Sequence, residues 1–201
     1  MNKGRLIVFS APSGCGKGTM LKEICRDDNY YFSVSATTRE PRNGEVDGVN
    51  YRFITHDEFM SLIDSGNMLE YAEYCSNLYG TPLDKVKEEL AKGKNVILEI
   101  EVVGAMKVRE LRPDALFIFA VPPSLKELER RLRDRGTETE EVIQARIAKA
   151  KEEIPYASKY DYVIVNDVLE KAVEDFKAVI NAESFKAENS AELLEEVIKN
   201  A

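Results

Sequence analysis

The sequence predicts an α/β fold, a parallel sheet flanked by helices with a small mixed insertion, and three observations carry that expectation. Short apolar runs rich in β-formers recur at Leu6–Phe9, Val96–Glu101, Leu116–Val121 and Tyr162–Asp167, each bounded by turn residues. Helical patterns separate them, and strands alternating with helices favour parallel pairing with both faces covered. At 201 residues and 44% hydrophobic content, the chain can bury one substantial core.

The first run, from Leu6 to Phe9, leads into Ser-Ala-Pro-Ser-Gly-Cys-Gly-Lys-Gly-Thr at 10 to 19, and Met20, Leu21 and Ile24 then begin a helical pattern. Strand, glycine turn and helix are the setting of a phosphate-binding P-loop. Gly14 and Gly16 let the backbone turn its N–H groups toward one point, the helix adds its positive N-terminal end, and Lys17 can reach a terminal phosphate. Ala11, Pro12, Ser13, Cys15, Gly18 and Thr19 complete the cradle. Ala11 stands where the usual pattern has its first glycine, and Gly18 moves the hydroxyl to Thr19, which must orient Mg²⁺ directly or through its waters.

The formal net charge is −8 and the pI about 5.0, which argues against a general nucleic-acid or anionic-membrane surface and makes positive charge local. No apolar run approaches the ~20 residues that span a bilayer, and no signal-like segment precedes the first strand. A cytoplasmic protein is expected. Cys15, Cys25 and Cys75 show no metal or disulfide spacing, so reduced thiols are expected. Cys15 has two readings: a small residue in a permissive loop, or a thiol of lowered pKa at a helix N-terminus. His56 follows Thr55, whose Thr55-x-x-Glu58 spacing is a capping box, so this histidine reads as a surface residue.

The first helix is expected to end near Arg26 to Asn29, and Tyr30 to Ser35 returns to β alternation. The loop from Thr37 to Gly44 then puts Arg39 and Arg42 beside Pro41, and guanidinium forks suit phosphate oxygens. A solvated loop is the alternative. Tyr51 to Ile54 reads as a strand, Asp57 to Ser65 as a helix stopped by Gly66, and Met68 to Cys75 as another strand. Thr81 is expected as an N-cap and Pro82 as the first residue of a helix running to Gly93. Glu99 and Glu101 close the strand that follows, at the sheet edge where open α/β folds bind ligands. Such acid, if buried, needs a partner, whether a metal hydrate, a base edge or an arginine; a solvated strand end is the alternative.

Ser124-x-x-Glu127 opens a charged helix and Thr139 opens the next. Between and along them lie Arg130, Arg131, Arg133, Arg135 and Arg146, around Gly136. They read either as a cationic lid able to swing over a triphosphate or as a solvated charged face. Leu169 to Ala182 is a last core helix. Asn189 to Asn200 carries Leu193, Leu194, Val197 and Ile198 on one face, for packing on the body or on a partner.

Seven motifs in order resemble the guanylate kinase family, from Gly4 to about Glu183. They are Ala-Pro-Ser-Gly-Cys-Gly-Lys at 11 to 17, Ser-Ala-Thr-Thr-Arg-Glu-Pro-Arg at 35 to 42, Gly-Glu-x-x-Gly-x-x-Tyr ending at Tyr51, Leu-Glu-Tyr-Ala at 69 to 72, Tyr-Gly-Thr at 79 to 81, Arg-Gly-Thr-Glu at 135 to 138, and Val-Ile-Val-Asn-Asp at 163 to 167. The resemblance implies a guanylate kinase-like domain over 1–184, with a P-loop NTPase core at 1–32 and 95–184. It also implies a GMP-binding region at 33–94, a lid at about 125–150, and a helical extension at 185–201 outside the resemblance. It implies ATP-dependent phosphorylation of GMP to GDP in purine metabolism, with Mg²⁺ accompanying ATP.

By that resemblance Arg39, Arg42, Tyr51 and Tyr79 hold the GMP phosphate, while Ser35, Glu70 and Thr81 read the guanine. Arg131, Arg135 and Arg146 face the transferring phosphoryl group, and Lys17 serves it from the P-loop. Residues 11–19 and Asn166 belong to the ATP side, and Glu101 is assigned to the GMP side. The family usually has Asp at position 101 and Gln at 103, where this chain has Glu101 and Val103. Guanine recognition by Glu70 fits its chemistry, since a carboxylate accepts from adjacent N–H donors. A peptide-binding module of the same fold has no need of Gly14, Gly16 and Lys17. A kinase for another phosphorylated substrate has no need of Ser35, Glu70 and Thr81 together. ATP and GMP are the expected partners, with no nucleic acid and no membrane, on a monomer or homo-oligomer.

Overall fold

The structure is a computed structural model that describes residues 4–199 apart from 43, 75, 135, 137 and 188–190. Its main sheet has five parallel strands in the order β2-β7-β1-β8-β9. These are β1 (Leu6–Ser10), β2 (Tyr30–Ser33), β7 (Asn95–Glu99), β8 (Leu116–Val121) and β9 (Tyr162–Val165). The strand that feeds the glycine loop is therefore central.

Strand β1 shows why the sheet sits in the middle of the molecule. All five of its residues are buried, and alternate side chains enter different cores because successive strand residues point to opposite faces. Leu6 and Val8 join Val86, Val96, Leu98, Ala105, Val108 and Phe117 on one side. Ile7 and Phe9 join Met20, Ile24, Ile118, Ala172 and Phe176 on the other. The first face is covered by α3 (Leu83–Ala91) and α4 (Val102–Leu111), the second by α1 (Lys17–Ile24) and α7 (Leu169–Ser184). The expected parallel α/β sheet with helices on both faces is present.

A second, mixed sheet has the order β4-β3-β6-β5, built from β3 (Ala36–Thr37), β4 (Arg52–Phe53), β5 (Met68–Tyr74) and β6 (Asn77–Pro82). Helix α2 (His56–Asp64) lies against it, and the Thr55–Glu58 capping box is formed in both directions. His56 is exposed at its start, as expected.

One expected helix start is corrected. Strand β6 continues through Thr81, α3 starts at Leu83 with Pro82 at its cap, and the Thr81 hydroxyl bonds to Glu70 instead of capping a helix. Cross-strand pairing with β5 claims Thr81 before the helix can.

Helices α5 (Leu125–Asp134) and α6 (Glu140–Glu153) form a small body of their own around Leu128, Leu132, Ile143, Ile147 and Ala150. Ser124 Oγ accepts from the Glu127 backbone N–H at 3.0 Å, as its spacing predicts. A 3₁₀ turn at Ile154–Lys159 leads to β9. The last helix, α8 (Ala191–Lys199), leaves Leu194, Val197 and Ile198 exposed. Among the described residues, no helix is long and apolar enough to cross a membrane.

Candidate functional site

The loop between β1 and α1 is shaped by two glycines at which any side chain would be strained. Gly14 and Gly16 both have φ of 90°, in the left-handed region. A Cβ on Gly14 would lie 2.6 Å from Leu132 Cδ2, and one on Gly16 would lie 2.7 Å from Asn166 Nδ2. Gly18 is different, because a Cβ there meets nothing within 4 Å. Asn166 stands behind the loop: its Nδ2 donates to the Cys15 carbonyl at 2.7 Å, which pins the turn from the end of β9. Its contact with the loop is thus through the loop backbone.

Cys15 is fully buried, and burial pushes its thiol up to about 11 against the opposing pull of Arg131 and Lys17. The reading of a reactive, low-pKa thiol is corrected, because desolvation of the thiolate outweighs the nearby positive charge. Cys75 lies outside the described residues.

The loop opens into a cleft of about 470 Å³. Residues 11–14 and 16–19 form one wall, and Glu99, Glu101, Val102, Lys149 and Glu153 face them. Lys17 Nζ lies 3.5 Å from Glu99 Oε1. The first turn of α1 points its N–H groups and positive dipole end toward this space, so the cleft suits a phosphorylated ligand. Thr19 is exposed on it.

The two arginines after β3 are organised by one carboxylate. Glu45 Oε1 accepts from Arg39 Nη2 at 2.9 Å, and Glu45 Oε2 accepts from the Arg42 backbone N–H at 2.7 Å. Arg39 also lies 5.6 Å from the Tyr51 ring centre and 5.7 Å from that of Phe53. Tyr51 and Tyr79 meet edge to face at 5.8 Å. The phenols and guanidiniums expected around one phosphate thus come from the loop after β3, the residue before β4 and the middle of β6. Ser35 lies just before β3, with its carbonyl accepting from the Arg52 N–H at 2.8 Å.

Glu70 and Thr81 pair across β5 and β6, and both are buried. Burial raises the Glu70 carboxyl above its ordinary range, while the Thr81 hydrogen bond and Lys107 pull it back.

The lid arginines divide. Arg130 bonds to Glu127 and Asp134, and Arg133 to Glu129 and Glu140, which makes them a solvated charged face. Arg131 and Arg146 turn inward. Arg131 donates to the Asn166 carbonyl at 2.7 Å, and Arg146 donates to Ser13 Oγ at 2.9 Å, touching the loop itself. Arg135 lies outside the described residues.

Both acids at the strand end were expected to need a partner and the resemblance assigned a role to Glu101 alone, yet the cleft brings Glu99 to Lys17 and leaves the Glu101 side chain 69% exposed on Lys149. Strand alternation puts residues two apart on one face and could not separate them; the end of β7 does, since Glu99 still belongs to the strand whereas Glu101 already caps α4. Lys149, Glu153 and Glu45 were also passed over as site residues, because charged residues on helices and loops carry no spacing signal of their own.

A family model described as guanylate kinase matches residues 3–183. Similar curated proteins include a guanylate kinase of Halalkalibacterium halodurans, 52% identical over 98% of this chain and 97% of that relative. Another, from Streptococcus thermophilus, is 56% identical over 92% of this chain and 90% of its own length. The crystal structure of guanylate kinase from Anaplasma phagocytophilum superposes with a TM-score of 0.73 at 33% identity, covering 93% of this chain and 89% of that one. With the loop, the cleft and these matches agreeing, the chain belongs to the guanylate kinase family.

Proposed function

We propose that this chain transfers the γ-phosphoryl group of ATP to the α-phosphate of GMP, giving ADP and GDP. The observation that carries the reading is the position of Glu99. It ends β7, lines the cleft opposite the phosphate loop and lies 3.5 Å from Lys17 of that loop, so a carboxylate of the sheet edge faces the lysine of the donor cradle.

In this reading the core at 1–32 and 95–184 holds ATP, the region 33–94 holds GMP, and residues about 125–150 close over both. Residues 11–19 cradle the triphosphate, with Asn166 fixing the loop from behind. Arg39, Arg42, Tyr51 and Tyr79 hold the GMP phosphate. Glu70, kept in place by Thr81, accepts from guanine's N1–H and N2 amino group, with Ser35 beside it. Glu99 and Glu101 stand at the junction. Lys17, Arg131, Arg146 and, by position, Arg135 neutralise the charge that develops on the transferring group. The attacking phosphate oxygen is already anionic, so the chemistry needs alignment and charge neutralisation more than a general base.

A divalent metal accompanies ATP in such kinases, and we assign it as Mg²⁺. Among the described residues no cluster of three His, Cys, Asp or Glu could hold a metal alone. That fits an ion that keeps several waters and takes phosphate oxygens as ligands, with Thr19 and Glu99 offering oxygen to it or to its waters. The ion supplies charge neutralisation at the phosphates.

A coupled ADP-release assay with GMP, AMP, CMP and dTMP tests the reading. Turnover with GMP at least a hundredfold above the others is expected. Equal rates with several monophosphates, or none with GMP, would sink it.

A further inference from the structure

Helix α6 carries Arg146, Lys149 and Glu153 at spacings of three and four, so all three project from one face. Arg146 already touches the phosphate loop through Ser13 Oγ at 2.9 Å. One turn on, Lys149 lines the same cleft as Lys17. Its Nζ lies 3.3 Å from Glu101 Oε2 at the start of α4 and 3.6 Å from Glu153 Oε1 on its own helix. The stem is long, and its 46% exposed side chain leaves the ammonium room to swing.

Two of the three lysines that line the cleft are therefore in the same condition. Lys17 is held by Glu99, and Lys149 is held by Glu101 and Glu153. Partial burial works against the charge of Lys149, but the two carboxylates outweigh it and hold its pKa above the ordinary value. Glu153 is itself costly: it is buried at the C-terminal end of α6, where a helix disfavours negative charge, and burial raises its carboxyl above the usual range. A carboxylate kept there at such expense next to one lysine acts to place that lysine.

We propose that Lys149 is a further phosphate-binding residue of the transfer reaction. Glu101 and Glu153 hold its ammonium over the cleft before the donor binds, and the donor's triphosphate then takes it from them. This rests on the ATP:GMP phosphotransferase reading. A triphosphate presents more negative charge than either carboxylate and enters within reach of the same ammonium, so the exchange is electrostatically downhill. It also gives the lid helix two contacts to the donor, Arg146 and Lys149, a turn apart.

The rival account is a plain surface ion pair that ties α6 to the start of α4, a contact of small value. The two accounts differ in what removal of the charge does. The test measures binding of the non-hydrolysable β,γ-imido analogue of ATP, with Mg²⁺, to the wild-type chain, Lys149→Met and Lys149→Arg, together with each protein's unliganded melting temperature. For a phosphate-binding role, Lys149→Met should weaken the analogue at least tenfold, Lys149→Arg should restore it to within threefold of wild type, and the melting temperatures should coincide. An unchanged or tighter dissociation constant for Lys149→Met overturns the proposal, as does a wild-type chain that does not bind the analogue. Should Lys149→Met fail to fold, Lys149→Gln takes its place with the same expectations. A wild-type chain that binds the analogue but does not phosphorylate GMP would overturn the functional reading alone, leaving the binding comparison to decide Lys149.

Discussion

Thr81 Oγ1 donates to Glu70 Oε1 at 2.8 Å, between two strands in antiparallel register, so a buried carboxylate is held with one oxygen satisfied and the other turned toward α4. Guanine offers N1–H and the N2 amino group side by side, whereas adenine offers a bare acceptor at that edge. Glu70→Gln keeps the shape, removes the charge and adds an amide donor. It should lower kcat/KM for GMP at least tenfold and narrow the preference over AMP, while binding of an ATP analogue without GMP hardly changes. Steady-state kinetics with both monophosphates check this, and undiminished GMP selectivity would make Glu70 a purely structural carboxylate.

The same substitution should act oppositely on stability. Burial raises the folded pKa of Glu70 above its unfolded value, so between those two pH values the native chain binds more protons than the unfolded one. Stability then falls as pH rises through that window, and above it the wild type carries the full cost of an ionised buried carboxylate. Glu70→Gln removes the cost. Its melting temperature should exceed that of wild type at about pH 7, with the gap shrinking toward about pH 4, where the unfolded carboxyl also protonates. Calorimetry across this range checks it, and a gap independent of pH would contradict the raised pKa.

Gly104 in α4 offers a way to move Glu70 without touching it. A Cβ there would lie 3.3 Å from Glu70 Oε2, and the carboxylate has little freedom to yield because Thr81 holds its other oxygen. Alanine is the better helix former by up to ~1 kcal/mol. Gly104→Ala should therefore leave the melting temperature equal or higher yet raise KM for GMP roughly three- to tenfold. Unaltered GMP kinetics would show that the carboxylate is free to shift or is not the guanine reader.

Lys17→Met keeps the half-buried stem and removes the charge beside Glu99. Its kcat should fall more than a hundredfold, a loss of ~3 kcal/mol or more of transition-state stabilisation, with a normal far-UV spectrum. Turnover near that of wild type would rule out the phosphate-loop assignment.

Local sequence chemistry determined a good part of this molecule. The unbroken apolar run from Leu6 to Phe9 required a strand buried on both faces, and Gly14 and Gly16 required a left-handed turn before a helix. Thr55 and Ser124 marked helix starts three residues ahead of glutamates. These features depend on near neighbours in the chain, so they can be read without knowing the fold. Which residues share a site does not depend on near neighbours. Thr81 reads as a helix cap until β5 lies beside it, and only then does its hydroxyl belong to Glu70. Glu99 and Glu101 are two residues apart and equally acidic. The end of β7 sends one to Lys17, and the start of α4 sends the other to Lys149 on a helix about fifty residues away. Of the lid arginines, helical phase and the acids within a turn left Arg130 and Arg133 in solvent, while Arg131 and Arg146 reached the loop and the end of β9. Partnership between residues distant in sequence is set by packing of the elements that carry them, and that was decided only when the sheet and its helices closed around the cleft.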